Sequence, residues 1–526
     1  MWVFYESWNI PQVLNPTIIF FINKINIMKR NKFITILVLL IAGFVVVSCN
    51  TTTLEPQLTL TNITKEIPSE GGSVALSFTC NDAWSVDTLG FGWLKLSQIS
   101  GIAGDAAISV TITANSTATS RSKIIYVSST NGQARRVIIN QAPSIYPSYN
   151  TAPIAPDATG MGSTATQLIA KIKLGINFGN TLELKGVNPD PTEANIKFIK
   201  QMGFNAVRIP CGWDYVGGAK ESPTSKIDPA YVAKVKQVVQ WCVDNDLYVF
   251  VNIHWDGGWL ESKEMSDFKT PETKWQSHNY DPLSSRKDSV NAKQKALWQQ
   301  IATSLRDFDE HLMFASANEP NAESAAEMKI LLTYHKTFID AVRSTGGRNT
   351  YRTLIVQGAT DYISPDDFAA FKDPTPNRLV FEWHNYTPSS MTILSNDKVD
   401  GGWDNVRFYW GAGNHSTLEP DRNCAYGEEA DIQAGYNLIK TKFIDKGIPC
   451  IMGEFSSNRW NATSKFKPLE LDKHNKSIDD WYTFCTKQCK AIGGAPFVWD
   501  TGGIFNRGTN VVNDQRTLDA LIAGSK

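Results

Sequence analysis

From about residue 165 onward, short apolar runs alternate with longer stretches in which apolar residues recur every three or four positions. The short runs predict buried strands, and the longer stretches predict amphipathic helices. The predicted strands are 172–178, 205–209, 247–253, 312–317, 353–357, 379–383, 449–453 and 495–499, and the clearest helices are 191–202, 233–243, 292–308, 322–343, 428–445 and 478–492. This alternation predicts an α/β fold, the (β/α)8 TIM barrel. A doubly wound sheet is the alternative, but no Gly-x-Gly-x-x-Gly motif follows the first strand.

The region before the barrel has a different pattern. Between residues 55 and 143 the chain is rich in Thr, Ser, Val and Ile, and segments such as 73–78 alternate apolar and polar positions. This period of two, broken by Gly and Asn, predicts a small all-β, Ig-like sandwich domain. The polar, Pro-containing segment 144–158 predicts an extended linker, which leaves 159–526 for the barrel domain.

The first 49 residues predict an export signal. A basic stretch begins at Met28, a candidate start of translation, and an uncharged apolar run follows it at 33–47. That run is shorter than the roughly 20 residues of a membrane-spanning helix. It ends in Val-Val-Ser-Cys, which is similar to a bacterial lipoprotein cleavage box and implies cleavage before Cys49, with Cys49 as the lipidated first residue. An uncleaved anchor helix is the alternative.

Composition narrows the classes of partner. The chain has 51 basic and 52 acidic residues and a formal net charge of -1, so its charge gives no reason to expect nucleic acid or an anionic surface as a partner. We therefore expect a neutral substrate. Cys49 aside, seven of the eight cysteines remain, without Cys-x-x-Cys spacing. This distribution favours neither a metal site nor a disulfide framework, and we expect most of these cysteines to be buried as small apolar residues.

Polar and aromatic side chains follow seven of the eight predicted strands, at the end where such barrels carry their active sites. They are Asn177 and Asn180, Arg208, His254 and Trp255, Asn318 and Glu319, His384 and Tyr386, Glu454, and Trp499 with Asp500. Glu319 and Glu454 each follow an apolar run, and a pair of carboxyl groups facing one cleft is what hydrolysis of a glycosidic bond requires. Taken singly, Glu319 is equally consistent with a cap of the following helix, and Glu454 with a solvated loop acid.

These residues resemble the pattern of glycoside hydrolase family 5, in clan A. Its members carry Asn-Glu-Pro after strand four and a Gly-Glu-Phe-like segment at strand seven, with Arg, His, His-x-Tyr and Trp at other strand ends, and this chain has every element in that order. The segments 179–183 and 204–210 are similar to those of the endoglucanase and xyloglucanase branch. In that branch a second His often follows His254, where this chain has Trp255.

The sandwich has a resemblance of its own. Its last strand, 136–141, together with Trp84, Trp93 and Arg121, is similar to the BACON domains that precede hydrolases of gut Bacteroidetes. We expect the domain to act as a spacer. Trp84 and Trp93 are either core residues or a platform on which sugar rings stack, and the sequence leaves both interpretations open.

The family 5 resemblance implies a role for each strand-end residue. Glu319 would be the acid/base and Glu454 the nucleophile of a retaining double displacement, with roughly 5–5.5 Å between the two carboxyl groups. The implied supporting residues are Arg208, His254, Asn318, His384 and Tyr386, and the implied substrate-binding residues are Asn180, Trp255 and Trp499. On chemical grounds we expect Arg208 and Tyr386 to orient Glu454, and the charge of Glu454 to raise the pKa of Glu319.

The same resemblance implies an endo-β-1,4-glucanase of the cellulase type, acting on cellulose, mixed-linkage β-glucan or xyloglucan without a metal or other cofactor. An endo-β-1,4-mannanase and a non-catalytic, glycan-binding surface lipoprotein are the alternatives. The expected partners are a β-glucan chain and, through the lipid anchor, the outer membrane, with the protein facing the cell surface or the periplasm. We expect a monomer.

Two further features favour a long substrate groove. Nine tryptophans lie in or beside predicted loops, and indole rings can stack on the apolar faces of sugars. They are Trp213, Trp255, Trp259, Trp275, Trp383, Trp403, Trp410, Trp460 and Trp499. For Trp275, Trp403 and Trp410, local packing is an equally open alternative. The insertion 389–422 is long for a loop between barrel elements, and loops of that length are often functional. We therefore expect it to lie over the groove.

Overall fold

The computed structural model describes residues 55–526 except 56, 62, 70, 88–91, 118, 255–286, 321, 323 and 399–403. Two predicted site residues, Cys49 and Trp255, lie outside the described residues, as do the apolar run 33–47 and Trp259, Trp275 and Trp403. Within the described ranges, no helix combines the length and the apolar character needed to cross a membrane.

Nine strands form a two-sheet sandwich at the N-terminal end. They are β1 (Leu58–Leu60), β2 (Thr64–Ile67), β3 (Gly72–Cys80), β4 (Trp84–Val86), β5 (Leu94–Leu96), β6 (Ser100–Gly101), β7 (Gly104–Ile112), β8 (Arg121–Ser129) and β9 (Ala134–Gln141). The sheet orders are β1-β3-β7-β5 and β2-β9-β8-β4-β6. Buried and exposed positions alternate along β3, β7 and β8, because successive side chains of a strand point to opposite faces. The predicted all-β sandwich is confirmed.

The two sandwich tryptophans are packed rather than displayed. Trp84 is 4% exposed, and its ring meets Phe78 edge to face at 4.9 Å between centroids. A Cβ atom at Gly101 would come within 2.4 Å of the same indole, so only glycine fits there. Trp93 is partly buried against the core, and the guanidinium of Arg121 lies over its ring at 4.4 Å. Of the two interpretations, the structure favours core packing for Trp84 and a covered position for Trp93.

Eight parallel strands then close into a barrel in the order β11-β12-β13-β14-β16-β17-β18-β19. They are β11 (Gly175–Phe178), β12 (Ala206–Ile209), β13 (Tyr248–Asn252), β14 (Leu312–Ala315), β16 (Leu354–Gln357), β17 (Leu379–His384), β18 (Cys450–Glu454) and β19 (Ala495–Asp500). The short strands β10 (Ile154–Pro156) and β15 (Gly346–Gly347) pair with each other, as do β20 (Phe505–Asn506) and β21 (Val511–Val512). The predicted (β/α)8 barrel is confirmed.

The helices surround this barrel. They are α1 (Ala165–Lys171), α2 (Glu193–Gln201), α3 (Pro229–Asp244), α4 (Lys287–Ser304), α5 (Ala325–Ser344), α6 (Pro365–Ala370), α7 (Ser389–Thr392), α8 (Glu429–Lys442), α9 (Leu471–Ala491) and α10 (Gln515–Gly524). Short 3-10 turns occur at Ala219–Glu221, Arg348–Thr350, Ala412–Asn414, Pro420–Arg422 and Ile444–Lys446. Helix α9 begins seven residues before the predicted start at 478, because its first two turns are mostly polar and weaken the apolar period.

Two apolar layers leave one end of the barrel free for chemistry. Inside the barrel, side chains such as Phe250, Met313 and Phe497 pack together with Leu168 of α1. A second layer fills the space between the strands and the outer helices. Every residue of β11, β12 and β14 is buried, and the polar side chains of the barrel gather toward the carboxyl ends of the strands. All seven described cysteines are buried thiols, which confirms their predicted packing role.

The segment 144–158 is extended, and its second half is bonded to the barrel. The Tyr149 N–H donates to Gln299 Oε1 at 2.8 Å, and Asn150 Nδ2 donates to the Ser344 carbonyl at 2.8 Å. Strand β10 then pairs in parallel with β15. The segment is therefore attached to the barrel from Tyr149 onward, and the domain boundaries at 143 and 158 stay predictions.

Candidate active site

The carboxyl ends of the barrel strands converge on a cavity of about 750 Å3. Six of the predicted site residues line it, and each comes from the end of a different strand or from the loop after it. They are Asn180, His254, Glu319, Tyr386, Glu454 and Trp499. The other described candidates lie outside this lining. Arg208 bonds to Glu454 and His384 to Glu319, and Asn318 Oδ1 accepts from Arg208. The structure thus brings together all of the predicted catalytic and supporting residues.

Glu454 is held at both carboxylate oxygens. Arg208 Nη1 donates to Oε1 at 2.6 Å, and the Tyr386 hydroxyl donates to Oε2 at 3.0 Å. Arg208 is fully buried and is itself fixed by Asn177 Oδ1 at 2.9 Å and Asn318 Oδ1 at 2.7 Å. The hydrogen bonds from Arg208 and Tyr386 therefore fix the orientation of the Glu454 carboxylate at the cavity wall.

Glu319 sits on a strained backbone. Its φ of +45° lies in the left-handed region, which is uncommon for residues other than glycine and clusters at functional sites. Its N–H donates to Gln357 Oε1 at 2.7 Å, and His335 Nε2 donates to the Gln357 carbonyl at 2.6 Å. The side chain itself is half exposed to the cavity, and His384 Nδ1 lies 2.7 Å from its Oε1.

The two carboxyl groups are close enough for a retaining reaction. One oxygen of Glu319, one oxygen of Glu454 and one ring nitrogen of His384 all lie within 4.8 Å of one another. Inverting glycosidases separate their carboxyl groups by roughly 6.5–9.5 Å, and retaining ones by roughly 5–5.5 Å. Among the described residues, this trio also has the spacing to hold a metal ion. Arg208, 2.6 Å from Glu454, already supplies positive charge there, and the expected absence of a metal stays a prediction.

Together, burial and nearby charges lower the pKa of His254 but raise the pKa values of His384 and Tyr386. Burial lowers the pKa of His254 well below its usual value, so this imidazole is neutral. Burial alone would also lower the pKa of His384, but the charge of Glu454 and hydrogen bonds to Glu319 and Glu382 outweigh it and raise that pKa to about 10. Burial, followed by the charge of Glu454, raises the pKa of Tyr386 well above 10, which keeps its hydroxyl a donor.

The expected rise in the pKa of Glu319 is wrong for this geometry. Burial does raise the pKa of its carboxyl group, but the hydrogen bond and charge of His384 and the charge of Arg208 outweigh burial and lower it. The sequence placed Glu454 next to Glu319 but could not place a protonated imidazole 2.7 Å from Glu319 and 3.6 Å from Glu454. The carboxyl group of Glu319 and the imidazole of His384 must therefore be treated as one titrating pair.

Trp499 forms one wall of the cavity and is fixed from two sides. The His254 ring lies parallel to the indole, with centroids 5.7 Å apart and planes at 10°. On another side, a Cβ atom at Gly179 would come within 2.7 Å of the indole. Next to Gly179, Asn180 has φ +58°, and the buried carboxyl group of Glu183 accepts from the Asn180 and Thr181 N–H groups. Burial raises the pKa of Glu183 to about 7.

The predicted tryptophan-lined groove is wrong for Trp213 and Trp383, and for Trp410 the structure decides in favour of local packing. Trp213 and Trp410 are fully buried, with indole N–H groups donating to the carbonyls of Asn252 and Gly427. Trp383 is 9% exposed and packs edge to face on a tyrosine of α8. Strand-end position did not distinguish an indole that faces the cavity from one that faces the helices.

The insertion 389–422 contributes only its beginning to the cavity within the described residues. Thr392 and Ile393 line it, whereas Phe408 and Tyr409 are buried in a small apolar cluster of their own. His474 of α9 joins this cluster to the barrel domain by donating from Nδ1 to the Phe408 carbonyl at 2.8 Å. Most of the described insertion is therefore a packed extension of the barrel rather than a cover for the cavity.

Sequence reasoning missed two residues that support the site. Gln357 ends the one predicted strand to which no site residue was assigned, and it holds the Glu319 backbone. Glu382 lies inside an apolar strand and contacts both Arg208 and His384 at 3.2 Å. An acidic residue within an apolar run was the available signal, because a charge is rarely buried without a partner.

Comparison with known proteins agrees with this geometry. Residues 175–503 match the model of the family described as "Cellulase (glycosyl hydrolase family 5)", and residues 83–142 match BACON, described as a putative binding domain. A xyloglucan-specific endo-β-1,4-glucanase of Bacteroides ovatus is 30% identical over 488 residues, covering 87% of this chain and 89% of that protein. Endoglucanase A of Ruminococcus albus is 26% identical, covering 69% of this chain and 93% of that protein.

Solved structures give the same result. A Bacteroides ovatus GH5 xyloglucanase in complex with a XXXG heptasaccharide has a TM-score of 0.59 and 28% identity, and the match covers 89% of this chain and 100% of that chain. A GH5 xyloglucan-specific β-1,4-glucanase from a ruminal metagenomic library, in complex with XXLG, has a TM-score of 0.57 and 31% identity over 69% of this chain and 96% of that chain.

Proposed function

We propose, from the premise that this chain belongs to glycosyl hydrolase family 5 and is a retaining hydrolase of the endo-β-1,4-glucanase type, that Glu454 is its nucleophile and Glu319 its acid/base. One observation carries the assignment. Glu454 has both oxygens fixed by Arg208 and Tyr386, while Glu319, within 4.8 Å of it, shares a hydrogen bond with His384. The first arrangement suits a carboxylate that stays ionised, and the second suits one that exchanges a proton.

In the first step, Glu454 attacks the anomeric carbon and forms a glycosyl ester, while the glycosidic bond to the leaving oxygen breaks. Glu319 delivers a proton to that oxygen. This proton comes from the Glu319–His384 pair, in which His384 Nδ1 lies 2.7 Å from the carboxylate. Asn318 Oδ1 is engaged by Arg208, which leaves the amide nitrogen of Asn318 to bond the sugar 2-hydroxyl.

In the second step, water attacks the anomeric carbon, the ester bond breaks and Glu454 is released as a carboxylate. The proton of the attacking water returns to the Glu319–His384 pair. Trp499 and Asn180, both at the cavity wall, support the sugar in each step. Neutral His254 stays stacked beside Trp499 and orders this wall.

Replacement of the two glutamates tests these roles. We expect Glu319→Gln and Glu454→Gln to lower kcat on the order of 10³-fold or more, because each removes a group that acts on the reacting atoms. Glu310→Gln is the matched control, since Glu310 bonds Lys171 and Ser163 just before β14, at the opposite end of the barrel. Full activity in either glutamine variant would refute the corresponding role.

Azide rescue separates nucleophile from acid/base. In Glu454→Ala, azide can replace the missing nucleophile and would yield an α-glycosyl azide. In Glu319→Ala, azide can attack the glycosyl-enzyme ester and would yield a β-glycosyl azide with an activated aryl glycoside as substrate. The opposite stereochemistry in the two variants would show that the roles are exchanged.

For the substrate, we propose a branched β-1,4-glucan of the xyloglucan class. The relative named as xyloglucan-specific covers both domains of this chain, and a solved xyloglucanase complex matches 89% of it. The lining of the cavity also includes Ser456, Asn458, Asn461 and Asn513. These polar side chains offer hydrogen-bonding partners for the hydroxyl groups of branching sugars.

Reducing-end release by residues 50–526 would test the substrate. We expect kcat/KM on tamarind xyloglucan to exceed the values on barley β-glucan and carboxymethylcellulose at least ten-fold, and mannan to remain uncut. A faster reaction on an unbranched glucan would refute the xyloglucan preference and leave the endoglucanase activity intact.

We also propose that the protein is a monomeric lipoprotein of the outer membrane, attached through Cys49. The support is the basic stretch, the apolar run and the lipobox-like ending in the sequence. Labelled palmitate should enter the native protein in its host but not a Cys49→Ala variant, and fractionation should find only the former in membranes. Equal labelling of both would refute the anchor.

A further inference from the structure

A third carboxylate lies directly behind the glutamate pair. Glu382, two residues before His384 on β17, is fully buried. Its Oε1 lies 3.2 Å from Arg208 Nη2 and 3.2 Å from His384 Nε2, whereas its Oε2 has no hydrogen-bond partner among the described residues. A buried charge is costly unless it is paired. The position of this one, between the two cationic side chains of the site, therefore calls for a function.

The neighbouring strand leaves room for this carboxylate. A Cβ atom at Gly453 would come within 1.9 Å of Glu382 Oε1 and 2.6 Å of its carboxyl carbon. No side chain larger than hydrogen fits at Gly453 unless Glu382 moves. Glu382 can therefore keep its position only with glycine at position 453, next to the proposed nucleophile.

The hydrogen bonds of His384 give Glu382 its role. His384 Nε2 points to Glu382, and Nδ1 points to Glu319 at 2.7 Å. An ionised carboxylate can only accept hydrogen bonds, so both ring nitrogens must donate when both carboxylates are charged. Glu382 therefore fixes the ring orientation from the side opposite the cavity.

We propose that Glu382 is a positioning residue, which holds His384 as a double donor aimed at Glu319 and shares Arg208 with Glu454. It touches no substrate and acts through these two side chains. The inference rests on the proposed roles of Glu319 and Glu454, and it adds a third carboxylate on which their geometry depends.

Loss of the Glu382 carboxylate should change the pH dependence of activity. His384 is faced by Glu319 after β14, Glu454 on β18 and Glu382 on its own strand, with Arg208 on β12 and His254 after β13 opposing them. Burial lowers the pKa of His384, and the charges and hydrogen bonds of the carboxylates raise it to about 10. The hydrogen bond of Glu382 is one of the causes that raise this pKa, and replacing the carboxylate by a neutral amide weakens it. The alkaline limb of the activity profile should then move to lower pH.

Glu382→Gln removes the charge and keeps the size of the side chain. On a β-1,4-glucan chain, whose leaving sugar oxygen must be protonated, we expect kcat to fall at least ten-fold with KM within three-fold of the wild type. We also expect the alkaline limb of kcat to move down by one pH unit or more. The Glu310→Gln control should stay within two-fold of wild type at every pH. An unchanged kcat and an unchanged limb in folded Glu382→Gln would overturn the proposal.

Two further measurements separate positioning from mere stability. Ring 15N NMR should show His384 titrating at lower pH in Glu382→Gln than in the wild type, a shift that a general loss of stability would not produce. In a double-mutant cycle, Glu382→Gln should lower kcat at least ten-fold with His384 present and less than three-fold in a His384→Gln background. Equal effects in both backgrounds would refute action through His384.

If Glu382→Gln does not fold, Glu382→Asp carries the test, because it keeps the charge but retracts the carboxylate. We expect its alkaline limb to stay within half a pH unit of wild type while kcat falls at least three-fold, and an unchanged kcat would overturn the proposal. These outcomes do not depend on those for Glu319→Gln and Glu454→Gln. Activity in the latter pair would refute the proposed function, whereas the His384 titration would still report on Glu382.

Discussion

Replacement of Gly179 by alanine should disturb the active site through one contact. The added Cβ would lie 2.7 Å from Trp499 Cζ2 and 2.9 Å from two other indole atoms. Carbon atoms in contact prefer about 3.5–4.0 Å, so the indole must retreat by roughly 1 Å. Its way out is limited, because the His254 ring lies parallel to it at 5.7 Å.

The size of the effect follows from that displacement. A misplacement of about 1 Å at a reacting centre can cost on the order of 10²-fold in rate. We therefore expect kcat/KM of Gly179→Ala to fall about 10- to 100-fold, which corresponds to about 1.4–2.7 kcal/mol of transition-state stabilisation. The cost in folding stability should be smaller, about 1 kcal/mol, because the indole borders an open cavity.

Initial rates on xyloglucan and on an aryl cello-oligosaccharide would measure this loss, and urea unfolding would measure stability. Gly435→Ala is the matched control, since it lies in α8 with no heavy atom within 4 Å of the added Cβ. We expect this control to keep wild-type kinetics and to gain about 0.5–1 kcal/mol of stability from the higher helix propensity of alanine. Kinetics within two-fold of wild type in folded Gly179→Ala would refute the view that Trp499 must stay in place.

Three further outcomes are expected. His474→Gln should reduce the loss of stability at acid pH. Burial lowers the folded-state pKa of His474 to about 4, so the free energy of unfolding of the wild type falls by up to about 3 kcal/mol between pH 6.5 and pH 4. Urea unfolding across that range should show a smaller loss in the variant. Arg352→Ala should lower the free energy of unfolding at pH 7 by at least about 3 kcal/mol, because the fully buried guanidinium donates to four backbone carbonyls and Asn349 Oδ1; a loss below 1 kcal/mol would contradict this. Gly175→Ala should cost about 1–3 kcal/mol of stability in the same assay, because its Cβ would meet the Phe497 ring at 2.2 Å, and a variant as stable as wild type would refute the expected overlap.

The barrel was predictable because its strands are buried on both faces. Continuous apolar runs such as that of β14 mark them in the sequence, and a fixed polarity of strand direction then places every polar strand end on one side. Residues such as Arg208, His254 and Glu454 could be assigned to one site for this reason alone. The starts of helices such as α9 were less predictable, since a polar first turn carries no apolar period.

What the sequence could not supply is the direction in which each side chain points. Trp213 and Trp499 both follow barrel strands, yet one is fully buried and the other lines the cavity. Glu382 lies in a predicted strand to which only later residues were assigned as site residues. Its closeness to Arg208 depends on a contact between β12 and β17, which are not neighbours in the barrel. Distances between strands decide such contacts, and one sequence does not contain them.

The charges in the site couple formation of the glycosyl ester to its hydrolysis. Three carboxylates (Glu319, Glu382 and Glu454) surround two cations, Arg208 and His384, so the free site carries one negative charge when His384 is protonated. Formation of the glycosyl ester removes the charge of Glu454, which is the largest cause that raises the pKa of His384.

The imidazolium therefore becomes a stronger acid at the moment when the leaving oxygen needs a proton. Transfer of that proton through Glu319 leaves a neutral His384 and an ionised Glu319, which is the form that can take a proton from water in the second step. Hydrolysis of the ester restores the charge of Glu454 and, with it, the affinity of His384 for the returning proton. Because Glu382 lies 3.2 Å from His384 Nε2 and takes no part in either step, it can hold His384 in the same orientation in both protonation states.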